Sequence, residues 1–208
     1  MRLILGTLLT LALVCEQGLA QESPFKRLQL AYGVSIEVPS HWTVLSQSTR
    51  SNLGAAGRAI MDNAGLEAQS GRKENLLAVN AVPDPTGAMV RVSVTTPPEY
   101  SQADLAAATQ SDLKEVASEL LAKFRKLESS GGPKIIQMQT VRLDTINNYR
   151  VLVMPYTRHG AVGPSPWQVT QYKIPLSDRL IEVTLSYRES DAIVWRPIIE
   201  RVKRSIKF

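Results

Sequence analysis

The sequence predicts an α+β domain built as an α/β/α sandwich, with a central antiparallel sheet and helices on both faces. Three observations lead there. The apolar periodicity runs strands, one long helix, four strands and a final helix, so helices and strands are segregated. Short polar turns join consecutive strands in the second half, as in an antiparallel meander. Each helix carries a single apolar stripe, which needs a sheet to cover it.

The chain opens on a leader. Arg2 precedes an apolar run, Leu3–Val14, interrupted by Gly6, Thr7 and Thr10, and Gly18-Leu19-Ala20 presents small residues at a cleavage site. The expectation is a cleavable signal peptide over residues 1–20, followed by a single domain over residues 21–208 in the periplasm or outside the cell. The run is too short for a good membrane span. The only cysteine, Cys15, lies in the leader. Val14 before it is not the small residue that lipid attachment requires, so lipoprotein anchoring is not expected. The mature chain therefore has no disulfide, no thiolate nucleophile and no cysteine metal ligand.

Leu28, Leu30 and Tyr32, then Val34, Ile36 and Val38, alternate as two short strands about a tight turn at Gly33. Pro39 ends the second strand, and Trp42 is expected beneath the sheet. Leu45–Asn75 is the least regular part, interrupted by Gly54, Gly57, Gly65 and Gly71, with a short helix at best over Leu53–Asn63. It reads as a mobile segment or a binding loop. Leu76–Val82 reads as a buried central strand. Pro83–Gly87 is a turn. In Met89–Thr96, Val90, Val92 and Val94 point one way, and Arg91, Ser93 and Thr95 the other. The two runs should pair as a hairpin.

Ser101 with Asp104 forms a capping-box start, and Tyr100 with Leu105 a hydrophobic staple. A helix about 35–40 Å long is expected from there, ended by Ser129-Ser130-Gly131-Gly132-Pro133. Four strand-like runs follow: Ile135–Leu143, Tyr149–Thr157, Trp167–Ile174 and Arg179–Tyr187. Asp191–Ser205 closes the chain as a helix, with Ile198, Ile199, Val202 and Ile206 on one stripe and Pro197 expected to divide a first turn from the rest.

Two stretches carry a family resemblance. Tyr32-Gly33-Val34-Ser35-Ile36-Glu37-Val38-Pro39-Ser40-His41-Trp42 resembles the strand–Pro–Trp entry of PsbP-like domains. Trp195-Arg196-Pro197-Ile198-Ile199-Glu200-Arg201-Val202-Lys203-Arg204-Ser205-Ile206 resembles their terminal helix. The order of elements between them is also similar. The resemblance implies an α/β/α sandwich in a group that includes the extrinsic subunit of the oxygen-evolving photosystem, a Ran-binding nuclear import factor and the DcrB-like exported bacterial proteins. Its members are mostly binding or assembly modules, and this chain most resembles the DcrB-like kind. The matching stretches are scaffold, so no ligand residue carries over.

The sequence contains no visible catalytic centre. The two histidines, His41 and His159, lack a Gly-x-Ser-x-Gly elbow and metal-ligand spacing. Asp62, Asp84, Asp178 and Asp191 stand at turns and form no calcium loop. Gly54-Ala55-Ala56-Gly57-Arg58 lacks the Gly-Lys-Ser/Thr ending of a phosphate loop. No metal and no cofactor is expected. The net charge of +5 is spread along the chain; weak contact with an anionic membrane surface fits it, and nucleic acid does not.

The most site-like stretch is Tyr156–Trp167, a loop in which Arg158 could meet an acidic group, His159 adds a titratable ring and Trp167 could offer apolar area. Arg72-Lys73 and the basic face of the last helix are further candidates. The expected function is a non-catalytic protein-binding or assembly module of the cell envelope. A periplasmic small-ligand carrier or sensor, with a pocket between the sheet and Leu45–Asn75, is the alternative.

Overall fold

A computed structural model describes residues 24–66, 71–160 and 165–208. The leader with Cys15, and part of the loop before Trp167, lie outside the described residues. No described helix is long and apolar enough to cross a membrane.

The first two strands, β1 (Phe25–Gln29) and β2 (Ser35–Pro39), form an antiparallel hairpin apart from the main sheet. The chain between them turns through Tyr32 and Gly33, both at positive φ, which glycine adopts without strain. The main sheet contains β3 (Thr43–Val44), β4 (Arg72–Asn80), β5 (Ala88–Thr96), β6 (Ile135–Met138), β7 (Arg142–Ile146), β8 (Tyr149–Arg158), β9 (Trp167–Pro175) and β10 (Leu180–Arg188). It runs β3-β4-β5-β10-β9-β8-β6, with β7 also on β8, and every pairing is antiparallel. The last hairpin strand, β10, thus lies between β9 and the earlier β5.

Both faces of this sheet are covered, and β8 shows how. Val151 and Val153 face one core with the last helix, α4 (Ala192–Ser205), through Ile199, Val202 and Ile206. Val34 with Ile36 and Val38 of β2 completes that layer. Leu152, Met154 and Tyr156, one residue out of step, face the opposite side. There they meet Leu105 of α2 (Gln102–Ala107) and Leu113 and Phe124 of α3 (Gln110–Ser129). The period of two along a strand makes one run serve both cores. The expected sandwich is the fold observed. Trp42 lies beneath the sheet as expected, 2 % exposed and edge-on to Trp195.

Four expectations need correction. Leu45–Asn75 is not irregular, because α1 (Gln47–Asn63) occupies much of it. It starts earlier than the glycines suggested because Ser46 caps it, accepting the Thr49 N–H at 3.2 Å. The single long helix is two. Thr109 and Asp112 repeat the capping box of Ser101 and Asp104, and Ala108 between the helices is extended. Gly131, at φ 86, then closes α3, with the Gly132 N–H on the Leu127 carbonyl at 2.7 Å.

The run Ile135–Leu143 divides into β6 and β7 opposite Pro155. That residue has no N–H to continue a ladder; its carbonyl accepts the Gln139 N–H at 3.0 Å. Finally, Pro197 lies within an unbroken α4. It removes the bond to the carbonyl of Ile193, a residue 91 % exposed, so water can serve that oxygen.

One ion pair ties α4 to the meander. Lys203 Nζ donates to Asp144 Oδ2 at 2.8 Å, and the Thr145 N–H donates to Oδ1 at 2.8 Å. Together they hold the carboxyl below the ordinary aspartate value of 3.8. A carboxyl depressed in the folded state stabilises above its unfolded pKa and loses that effect as pH falls through the folded one. Asp144→Asn should therefore lower Tm at neutral pH, and its gap from the wild type should close as pH falls below 3.8. A gap that persists to about pH 2 in thermal melts would count against this account.

Candidate functional site

The polar side of the β5 alternation is not turned to solvent. Register places Asn75, Ser93, Glu182 and Lys173 in one row across β4, β5, β10 and β9. Ala78, Arg91, Thr184 and Gln171 form the neighbouring row. Leu76 is the extra residue of a bulge between Asn75 and Leu77. The bulge re-aims the strand, so Lys73 and Asn75 share the polar face while Leu77 and Val79 join the apolar core.

Over the β8–β9 half of this face α3 lays its apolar stripe. Over the β4 end lies α1, and α1 does not seal it. None of its seventeen residues is buried, and Leu53 is 50 % exposed. Gly54 lets the helix approach β4, because a Cβ there would stand 2.8 Å from Asn75 Nδ2. At Gly57, one turn on, a Cβ would meet nothing within 4 Å. A cavity of about 520 Å³ remains between α1, the sheet and the end of α3. A second, of about 620 Å³, opens between α1 and the β1–β2 turn.

Charge in the first cavity is uneven. Four cations line it, Arg50, Arg58, Lys73 and Arg91, against the single carboxylate of Glu182. Glu182 is engaged, 3.0 Å from Lys73 Nζ and 4.0 Å from Lys173 Nζ, and Lys173 also reaches Glu99 at 3.6 Å. Arg91 is held by neutral acceptors, the Val79 and Val90 carbonyls and Asn80 Oδ1 at 2.7–2.9 Å. Burial, with the Arg158 cation nearby, pushes its guanidinium down to about 10, and it stays charged at neutral pH. Arg50 Nη1 donates to the Leu45 carbonyl at 2.8 Å, while its buried Nε has no partner.

The residues singled out from sequence are separated by this geometry. Lys73 lines the cavity, and Arg72 starts the same strand, exposed, opposite Thr96. Arg158, His159 and Trp167 lie at the far end of β8 and β9. Trp167 is 6 % exposed and belongs to a core with Phe124 and Tyr156, so its apolar area is already used within the fold. Arg158 covers its ring at 5.4 Å and donates to the His159 carbonyl at 2.8 Å. Of the three only His159 is exposed. Among the described residues the His41 and His159 side chains make no hydrogen bond to a nucleophile or carboxylate, and no cluster of metal-ligating side chains occurs. Arg50, Arg91 and Glu182 escaped sequence reading. The signal was the Arg91-x-Ser93-x-Thr95 alternation, read simply as the side away from the valines.

With this geometry the chain can be compared with solved proteins. It is similar to cyanobacterial PsbP (CyanoP) from Synechocystis sp. PCC 6803, with a TM-score of 0.53 at 10 % identity, covering 91 % of this chain and 95 % of that one. LpqN, involved in cell envelope biogenesis of Mycobacterium tuberculosis, aligns at a TM-score of 0.47 and 9 % identity, covering 90 % of this chain and 86 % of that one. No family model and no curated protein sequence matches the chain. The PsbP-like fold expected from the sequence is thus shown, and at such identity the likeness concerns the fold alone.

The placement of the loop residues separates packing from surface. Trp167→Ala should cost about 3–5 kcal/mol of stability, as removal of a core tryptophan does. His159→Ala should stay within about 0.5 kcal/mol. Urea unfolding of both variants measures this, and equal costs would show that Trp167 is not a core side chain.

Proposed function

We propose that this chain is an exported, non-catalytic ligand-binding protein of the bacterial cell envelope, taking a small molecule into the cavity beneath α1. One observation carries the reading: a seventeen-residue helix without a buried residue stands over about 520 Å³ of space. That volume falls within the ordinary range of ligand sites. A helix serving only the core would seal the sheet with its apolar side chains, where α1 turns Gly54 and Gly57 to the cavity and leaves Leu53, Ile60 and Met61 lining it. The leader over Met1–Ala20 supports export. Together with the terminal-helix pattern it supports a place nearest the DcrB-like exported proteins. This carrier reading moves ahead of capture through the Arg158–Trp167 loop because Trp167 is committed to the core.

Nile red, an uncharged apolar probe, should bind the mature chain saturably. Gly57→Leu should abolish that binding by filling the space, while leaving Tm unchanged or higher, since leaving glycine gains about 0.5–1 kcal/mol in a helix. Undiminished binding to the folded variant would place the probe elsewhere and remove the reading.

A second reading rests on a different surface. Ile193 and Val194, at the start of α4, are 91 % and 51 % exposed. The Glu189 N–H donates to the Pro166 carbonyl at 2.8 Å, so this apolar tip adjoins the loop that carries Arg158 and His159. We therefore keep docking on an envelope protein as the alternative, with those side chains as polar contacts and Arg72 and Lys73 more remote. Ile193→Asp should abolish capture of a partner from envelope extract and leave Nile red binding intact; unchanged capture would end this alternative.

A further inference from the structure

The two cavities beside α1 differ in chemistry and share a border. Beyond that border the first has an aliphatic wall, Leu53, Ile60, Met61 and Leu127, facing Arg91, Ser93, Glu182 and Thr184 of the sheet. The second is polar, with Gln29, Gln47, Ser51 and Glu74, the last accepting from the Tyr32 hydroxyl at 2.9 Å. Arg50, Arg58, Lys73 and Asn75 line both, so they stand where apolar space gives way to polar space.

At that border two of the three cations lack a carboxylate partner among the described residues. Lys73 has Glu182 at 3.0 Å. Arg50 and Arg58 have no carboxylate within 4.0 Å among the described residues, and neither does the deeper Arg91. The buried Nε of Arg50 is a donor without an acceptor, and a buried unpaired donor is costly to leave so. Guanidinium groups suit planar or tetrahedral oxyanions, since their fork of N–H donors matches carboxylate and phosphate.

We infer that the cavity binds an aliphatic anion, its chain among Leu53, Ile60, Met61 and Leu127 and its carboxylate or phosphate head at Arg50 and Arg58. The inference rests on the ligand-binding reading above and adds the ligand's class. A free fatty acid and a monoacyl phosphate share this chemistry and differ in the head. An uncharged or cationic amphiphile would fill the same space but leave the arginines unpaired, and the cation would add repulsion.

The test is displacement of Nile red from the mature chain by twelve-carbon amphiphiles: dodecanoate, dodecyl phosphate, dodecanol and dodecyltrimethylammonium. The two anions should compete at least tenfold better than the other two, and the stronger of them identifies the head. Shortening the better anion should weaken it about fourfold per methylene removed. Arg50→Gln and Arg58→Gln should each weaken the anions about 10- to 100-fold, the range of a lost charge-assisted hydrogen bond, and leave dodecanol unchanged. Lys114→Gln removes the same charge from an exposed α3 position outside both cavities and should change nothing. Circular dichroism confirms that each variant is folded. Equal competition by dodecanol, or equal loss in Lys114→Gln, would overturn the inference and leave the cavity reading standing. Failure of Nile red itself to bind would overturn both.

Discussion

The alternation of side chains along β5 and β10 is the constraint on which the rest of the structure depends. Val90, Val92 and Val94 with Ile181, Val183 and Leu185 make one face of the central strands wholly apolar. Arg91 and Ser93 with Glu182 and Thr184 make the other polar. Side-chain period two locks these faces together, because a slip of one residue in register would exchange them. The apolar face can be sealed, and α4 with the β1–β2 hairpin seals it. The polar face cannot take an equally apolar cover, because that would strand an arginine and a glutamate without solvent. So α3 stays over β8 and β9, where Leu152, Met154, Tyr156 and Val169 are apolar on that side as well. The β4 end is left to α1.

What holds α1 is correspondingly slight. A helix without a fully buried side chain is marginal, since most helical stability in proteins comes from packing an apolar face. Its ties are the Ser46 cap, the Arg50 bond to the Leu45 carbonyl, the two-residue β3 pairing on β4 and the Gly54 approach to Asn75. Segments of this kind belong to the low end of local stability, from which binding elements are drawn. On the ligand-binding reading, such a cover would open at small cost over a preformed sheet face and admit a ligand without disturbing either core.

Much of the fold was legible in the sequence because it follows from short-range patterns. Alternation marked the strands, short polar turns marked the late hairpins, among them Asn147-Asn148, whose two residues take the positive φ such a turn needs, and Ser101 with Asp104 marked a helix start. Where reading stopped, a second local rule competed with the first. Thr109 and Asp112 repeat a capping box inside an unbroken apolar stripe, and the stripe masked the break. In α1 two glycines argued against a helix that Ser46 nonetheless starts. The site was less legible still. Arg91 and Glu182 lie 91 residues apart in sequence, in neighbouring rows of two strands brought together only by a non-local pairing. An alternating strand also does not reveal whether its polar side meets water or a helix. Lys73 was singled out for its charge alone, without the bulge at Leu76 that sets its direction.

Gly54 and Gly57 show why this space is more than poor packing. Each costs about 1 kcal/mol of helix stability relative to alanine. Gly54 has a structural return, because a side chain there would collide with Asn75. Gly57 has none, since a Cβ there would meet nothing within 4 Å. Against a total stability of about 5–15 kcal/mol such a cost is tolerable, so taken alone it signifies little. Its position is what counts. Unfilled apolar space and the buried Arg50 Nε without an acceptor are two separate liabilities, and both lie along α1. A leucine at residue 57 would remove the first and leave the second. A carboxylate on a neighbouring strand would remove the second and leave the first. A single aliphatic anion would remove both, and no described side chain near α1 does so.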